Sequence, residues 1–195
     1  WSSDVCSSDL TDADIVHDPA HLCTLVAKAE RDGLDLVSEM VELRCRSVAE
    51  RALVPAFVFF FQMLYPFRRV RDPRARTAAA AGGCVLLDRA AFESAGGFGA
   101  IRGEVIDDCA LARRMKARGP IWLGLTDRAE SLRPYPRLDD TRRMVARTAY
   151  AQLGYRVAAL AGMVAALALV FLAPPLLALL ADGLAALLGA EVGVA

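Results

Sequence analysis

From Val157 to Ala181 the chain runs for twenty-five residues without a charged side chain. A helix of that length spans ~37 Å at ~1.5 Å per residue, more than the ~30 Å hydrocarbon core of a bilayer. The other home for such a run is the buried centre of a soluble protein. Pro174-Pro175 predicts a break, with one helix ending near Ala173 and a second running from Pro175 toward Ala190. Residues 157–190 are therefore read as transmembrane helices. The arginines ahead of them (Arg137, Arg142, Arg143, Arg147, Arg156) place the preceding part on the cytoplasmic side of an inner membrane.

The overall hydrophobic share of 55% describes neither half well, because the excess lies in Ala52–Phe67 and beyond Val157. A net charge of zero argues against a nucleic-acid binder. The cysteines at 6, 23, 45, 84 and 109 form no CxxC pair, which predicts reduced thiols facing a cytosol. His17 and His21 stand four apart across Pro19 and read as surface residues rather than metal ligands. Trp1–Leu10 (WSSDVCSSDL) has no apolar period and no signal-peptide core. It looks like a translated sequencing adapter joined to an internal piece of a longer protein, so folding is expected to begin at Thr11. On that reading no strand precedes the acidic motif that follows.

Residues 11–150 carry the alternating signals of an α/β layer. Asp18-Pro19 predicts a helix start, with Leu22, Leu25, Val26 and Ala29 on its inner face up to Gly33. Leu34–Leu43 reads as a strand. Ala52–Phe67 is uncharged, punctuated by Pro55 and Pro66, and fits either a core helix or an interfacial one. The arginines at 68, 69, 71, 74 and 76 follow it. Gly82-Gly83 introduces a strand ending at Asp88, then a short helix to Ala95. Asp107-Asp108 opens a helix with Leu111, Ala112 and Met115 inward, basic residues at its end and Gly119 as terminator. Ile121–Leu125 is a strand, Arg128–Arg137 a loop, and Asp139–Tyr155 an amphipathic helix.

Two acidic clusters flank the Gly-Gly turn: Asp12-Ala13-Asp14 and Asp107-Asp108. Transfer of a sugar from a nucleoside diphosphate needs a hard cation to neutralise the departing diphosphate, and carboxylates hold such a cation well. It also needs a base for the acceptor hydroxyl. Asp12 and Asp14, at i and i+2 of a turn, suit the metal (Mg2+ or Mn2+). Asp108 at a helix start suits the base, with Asp107 supporting it by like-charge repulsion.

The run TDADI, AGGCVLL and IDDCAL with Arg113-Arg114 resembles the inverting glycosyltransferase family 2 layout. Together with PAFVFFFQMLYPF, IWLGLTDR, SLRPY and MVARTAY, it resembles the hopene-associated glycosyltransferases from Thr11 to Ala190. The resemblance implies an incomplete GT-A domain, the C-terminal part of its glycosyltransferase unit, followed by membrane helices. It further implies a nucleotide-sugar donor, a membrane lipid acceptor of hopanoid type, Asp12 and Asp14 as metal ligands, and Asp108 as general base. Gly82, Gly83 and Cys84 would line the acceptor side. The acid pair is Asp-Asp where the family has Glu-Asp. The QxxRW motif of processive members is reduced to Arg147 in MVART, which points away from a chain-extending polysaccharide synthase and leaves Arg147 a weak diphosphate contact. The nucleotide-binding half is expected upstream, so this piece alone is expected to be inactive.

Two other classes fit part of the pattern. Asp12-Ala13-Asp14-Ile15-Val16 also matches the opening of haloacid-dehalogenase-like phosphatases, which then need a lysine ahead of a later acidic pair. Lys28 lies too close and Lys116 falls after Asp107-Asp108. A non-enzymatic membrane scaffold would account for the apolar tail but not for the ordered acids and glycines.

Overall fold

The structure, a computed structural model, describes residues 7–134, 139, 140, 143, 150, 153 and 155–192. It divides into two units, Trp1–Thr148 and Ala149–Ala195. The first is a mixed α/β unit built on five strands: β1 (Ser7–Thr11), β2 (Ile15–His17), β3 (Leu36–Glu42), β4 (Cys84–Asp88) and β5 (Ile121–Ser131). Their order across the sheet is β1-β4-β3-β5-β2. The β3–β5 pair is parallel and the other pairs are antiparallel.

β1 and β2 lie at opposite ends of that order, yet only Asp12, Ala13 and Asp14 join them. A flat five-stranded sheet would hold its edges ~19 Å apart. Four extended residue steps reach at most ~14 Å. The sheet must therefore curl, and β5 shows where. Leu125 pairs with Met40 and Glu130 with Glu42, so Thr126–Ala129 bulge out against the single residue Val41. The second half of β5 is thereby turned back, carrying β2 with it to meet the end of β1.

β3 is central and is buried on both faces. On one face Val37 and Val41 pack with Leu25 of α1 (His21–Asp32), Cys84, Leu86 and Ala129. On the other, Leu36 and Met40 meet residues from α2 (Val48–Leu64), α3 (Phe67–Arg71), Ala78–Ala81 and α5 (Asp107–Lys116). The short α4 (Arg89–Ser94) is capped by Asp88, whose Oδ1 accepts from the Ala91 amide at 2.7 Å. In α5, Leu111, Ala112 and Met115 point inward as their spacing predicts. Lys116 at its end donates to the carbonyls of Arg69, Val70 and Thr77, joining the last turn of α5 to α3.

Several sequence expectations are corrected. A strand does precede the acidic motif: Ser7–Thr11 pairs residue for residue with Asp88–Cys84, and Leu10 packs against the core. An edge strand can be held by ladder hydrogen bonds alone, which leave no apolar period to read. α1 begins two residues beyond Pro19, since Asp18 is spent on a turn that accepts from the Ala20 amide at 2.8 Å. Leu22 is exposed, not inward. α2 starts four residues before the uncharged run because Ser47 and Glu50 form a capping box. It is neither wholly buried nor wholly exposed: Val54 and Phe61 face the core, while Phe59 and Met63 face out. β5 runs to Ser131, through residues read as loop.

In the second unit, α6 (Val157–Val192) passes through Pro174 and Pro175 unbroken. Two helices were expected there. Each proline removes one amide donor, but the bonds on both sides persist, and the apolar flanks offer no competing partner. Its segment Val157–Leu177 has a mean hydropathy of 2.4 and none of it is buried. Among the described residues this is one helix long and apolar enough to cross a membrane. The expected helix over Asp139–Tyr155 lies largely outside the described residues.

Candidate functional site

Asp12 and Asp14 occupy the tight turn between β1 and β2. The Ile15 amide closes it on the Asp12 carbonyl at 3.1 Å. Asp14 is anchored to the end of β5: its Oδ2 accepts from the Ser131 hydroxyl at 2.8 Å, and its carbonyl accepts from the Leu132 amide at 2.8 Å. Asp12 remains exposed.

The Gly82-Gly83 turn meets this one from β4. The Thr11 hydroxyl donates to the Gly83 carbonyl at 3.0 Å, joining the end of β1 to the turn. From beneath, the buried Ser38 hydroxyl accepts from the Ala81 amide at 2.8 Å and lies 3.1 Å from the Cys84 carbonyl. The turn also packs closely on its neighbours, more tightly at Gly83 than at Gly82. A Cβ on Gly82 would stand 3.4 Å from Asp108 Oδ2, and one on Gly83 would stand 3.2 Å from Val41 Cγ2.

Asp107 and Asp108 start α5. The Cys109 amide donates to Asp108 Oδ1 at 2.6 Å and the Asp108 amide to Asp107 Oδ1 at 3.0 Å, the ordinary satisfaction of a helix N-terminus. A helix cap does not account for the third bond. The Gly82 amide, twenty-six residues earlier, donates to Asp108 Oδ2 at 2.9 Å. Each carboxylate oxygen has a second lone pair, so Asp108 keeps accepting capacity.

The charges reinforce the grouping. Burial raises the pKa of the half-buried Asp108, and the charge of Asp107 adds to it against the amides of Cys109 and Gly82. Asp12 is raised by lost hydration, then by Asp14 and more weakly by Asp107, while Arg133 opposes them. The DxD turn and the start of α5 thus share one electrostatic neighbourhood. Arg133, just past β5, is a cation that the sequence reading did not single out. Its legible signal was its place in SLRPY. Arg147 lies outside the described residues.

Beside the Gly-Gly turn lies a second cluster that sequence reasoning read wrongly. His21 is fully buried and His17 is partly so; neither is a free surface residue. Their rings stack 5.2 Å apart, with Nδ1 to Nδ1 at 2.9 Å. The Cys84 sulfur joins them, all three ligand atoms lying within 4.8 Å of one another. Cys84 is itself fully buried, backbone and side chain alike. The His-x3-His spacing was visible, but Cys84 reaches the pair only through the sheet.

A groove of about 820 Å³ opens elsewhere, between α2 and the ends of β3 and β5, where Val54, Val58, Phe59 and Leu125 give it an apolar wall. None of the acidic residues above lines it. Compared with known proteins, the chain matches no family model and no curated protein at a significant level.

Proposed function

We propose that this chain carries the metal-binding and acceptor side of an inverting, membrane-associated glycosyltransferase of GT-A type. It would pass a sugar from a nucleotide-sugar donor to a lipid hydroxyl, hopanoid-related by resemblance. The observation that carries the reading is the bond from the Gly82 amide to Asp108, set within electrostatic reach of the Asp12–Asp14 turn. Asp108 takes the proton from the acceptor hydroxyl; its raised pKa moves it toward the operating pH, as general-base work favours. Asp107 stays beside it as a like charge that sustains the shift. The hydroxyl so activated attacks the anomeric carbon from the face opposite the leaving diphosphate.

Asp12 and Asp14 supply hard oxygen donors, and the mutual repulsion that raises Asp12 is what a cation would relieve. Such an ion, Mg2+ or Mn2+, would neutralise the departing diphosphate. Arg133, whose charge acts on Asp12, would assist from the protein side. The apolar helix Val157–Leu177 would keep the site beside its lipid, in the inner membrane and facing the cytoplasm.

A phosphatase is disfavoured by the fate of both lysines. Lys28 is bound to Asp32 at 3.0 Å and lies over the Trp122 ring, and Lys116 is spent on three carbonyls. Neither bonds to Asp12 or Asp14. The test is nucleotide-sugar turnover by the full-length gene product in detergent, with and without Mn2+ and a hydroxylated lipid. Metal-dependent, lipid-stimulated sugar transfer is expected. Hydrolysis of simple phosphate esters without transfer would replace this reading with the phosphatase one.

A further inference from the structure

We infer that His17, His21 and Cys84 form a zinc site, distinct from the acidic metal position and structural in purpose. The partner atoms of the two rings lead to it. The Thr11 hydroxyl, which also meets the Gly83 carbonyl, lies 2.8 Å from His17 Nε2. Glu39 Oε2 accepts from His21 Nε2 at 2.7 Å. With both Nε2 atoms held by outer partners, the two Nδ1 atoms face each other across 2.9 Å. Such a pair can share a hydrogen bond between its rings or turn both nitrogens onto a metal ion.

The third group decides for the metal. The Cys84 sulfur reaches the same point, within 4.8 Å of both imidazoles. A hydrogen bond between the rings has no use for a thiol there, whereas zinc takes imidazole and thiolate together. Bonds of ~2.0–2.1 Å to nitrogen and ~2.3 Å to sulfur put tetrahedral ligands roughly 3.3–3.7 Å apart. The three ligand atoms, now within 4.8 Å of one another, would adjust to that spacing as the ion binds. Glu39 and Thr11 then act as the outer partners that fix each ring's tautomer and direction. A water from the more open His17 side completes the four. Binding releases the thiol proton and leaves both rings neutral.

The purpose follows from where the ligands sit. His17 is the end of β2, His21 the start of α1, and Cys84 the start of β4. One ion would join the return of the Asp12–Asp14 turn to the strand that follows Gly82-Gly83. It would hold together the two turns of the candidate active site without entering the reaction.

The experiment uses the purified full chain in detergent, untagged, stripped with chelator and titrated with Co2+ and then Zn2+. We expect a thiolate-to-cobalt charge-transfer band that saturates at one cobalt per chain, and its displacement by Zn2+. Cys84→Ala should abolish the band, and His17→Gln should weaken Zn2+ binding at least tenfold. Asp12→Asn should leave both intact, which separates this site from the acidic one. Should Cys84→Ala fold poorly, His17→Gln, on the more exposed ligand, carries the test. If Co2+ binds without the charge-transfer band, or if neither variant changes Zn2+ affinity, the cluster is a hydrogen-bonded imidazole pair and the inference is overturned.

Discussion

The amide of Gly82 donates to Oδ2 of Asp108 at 2.9 Å, tying the Gly-Gly turn to the first turn of α5. This bond separates two roles for the Asp107-Asp108 pair. A pure helix cap satisfies the amides of its own helix, as Asp107 does with Asp108. Asp108 instead bridges two elements, and a carboxylate held at two points is positioned rather than merely satisfied.

Replacing Asp108 by Asn should lower transfer by ~10²–10⁴ in kcat while leaving donor affinity near that of the parent. Asn keeps the size and can still accept one of the two amide bonds, so the fold should survive. Steady-state kinetics with the nucleotide-sugar donor and lipid acceptor check it. Near-normal turnover in both Asp108→Asn and Asp107→Asn would reduce the pair to a helix cap.

The pH profile carries a separate expectation. Burial and Asp107 raise Asp108, so the acid limb of kcat/KM should lie above the usual carboxylate range, with activity rising as the base deprotonates. Asp107→Asn removes a like charge and should shift that limb toward lower pH, with turnover at the plateau only mildly reduced. A limb that fails to move would separate Asp107 from the titrating group.

Divalent metal should stabilise the protein, with a definite sign against pH. Asp12 and Asp108 both have raised pKa values in the fold. Their contribution to stability is therefore complete below the unfolded carboxylate pKa and is lost as pH rises through the raised folded values. A cation at Asp12 and Asp14 offsets that loss, so Mn2+ should raise Tm at neutral pH and have little effect in acid. Asp14→Asn should remove most of the Mn2+ shift and weaken metal-dependent donor binding. Differential scanning fluorimetry across pH reads this directly.

Ser38→Ala should cost about 1–3 kcal/mol, because it leaves the buried Ala81 amide without its acceptor. Chemical denaturation measures the loss. Since Ser38 supports the turn that holds Asp108, kcat should fall with it, whereas a surface hydroxyl would change neither.

The apolar span should behave as a membrane anchor. Leu169→Arg, near the middle of Val157–Leu177, should cost ~2.5–3.5 kcal/mol of insertion. Alkaline carbonate extraction should leave the parent in the membrane pellet and release part of the variant. Release of the parent itself would exclude the anchor.

Features held by local rules were legible from the residues alone. α5 has acids in its first turn, bases in its last and inward positions three and four apart, so its start and inner face needed nothing beyond the chain itself. The apolar span was legible for a similar reason: length and the absence of charge are properties of a segment, independent of its neighbours. The same local reasoning went astray at Pro174-Pro175, where two missing amides did not outweigh the bonds on either side.

What depends on distant partners was closed to the sequence. β1 is held by a backbone ladder to β4, and ladder bonds leave no mark on side-chain pattern. The residues Asp12, Gly82 and Asp108 could be named in advance, yet only the curl of the sheet at Thr126–Ala129 returns β2 to β1 and sets the acidic turn beside the glycines. His17 and His21 looked solvent-facing because Pro19 separates them; packing buried His21 and brought Cys84 to it from sixty-three positions away. The chain by itself determined which chemical groups are present and which stretches could form helices or cross a lipid layer. Tertiary structure decided which of those groups meet, because a contact between distant residues is set by sheet pairing and curvature, to which every strand contributes.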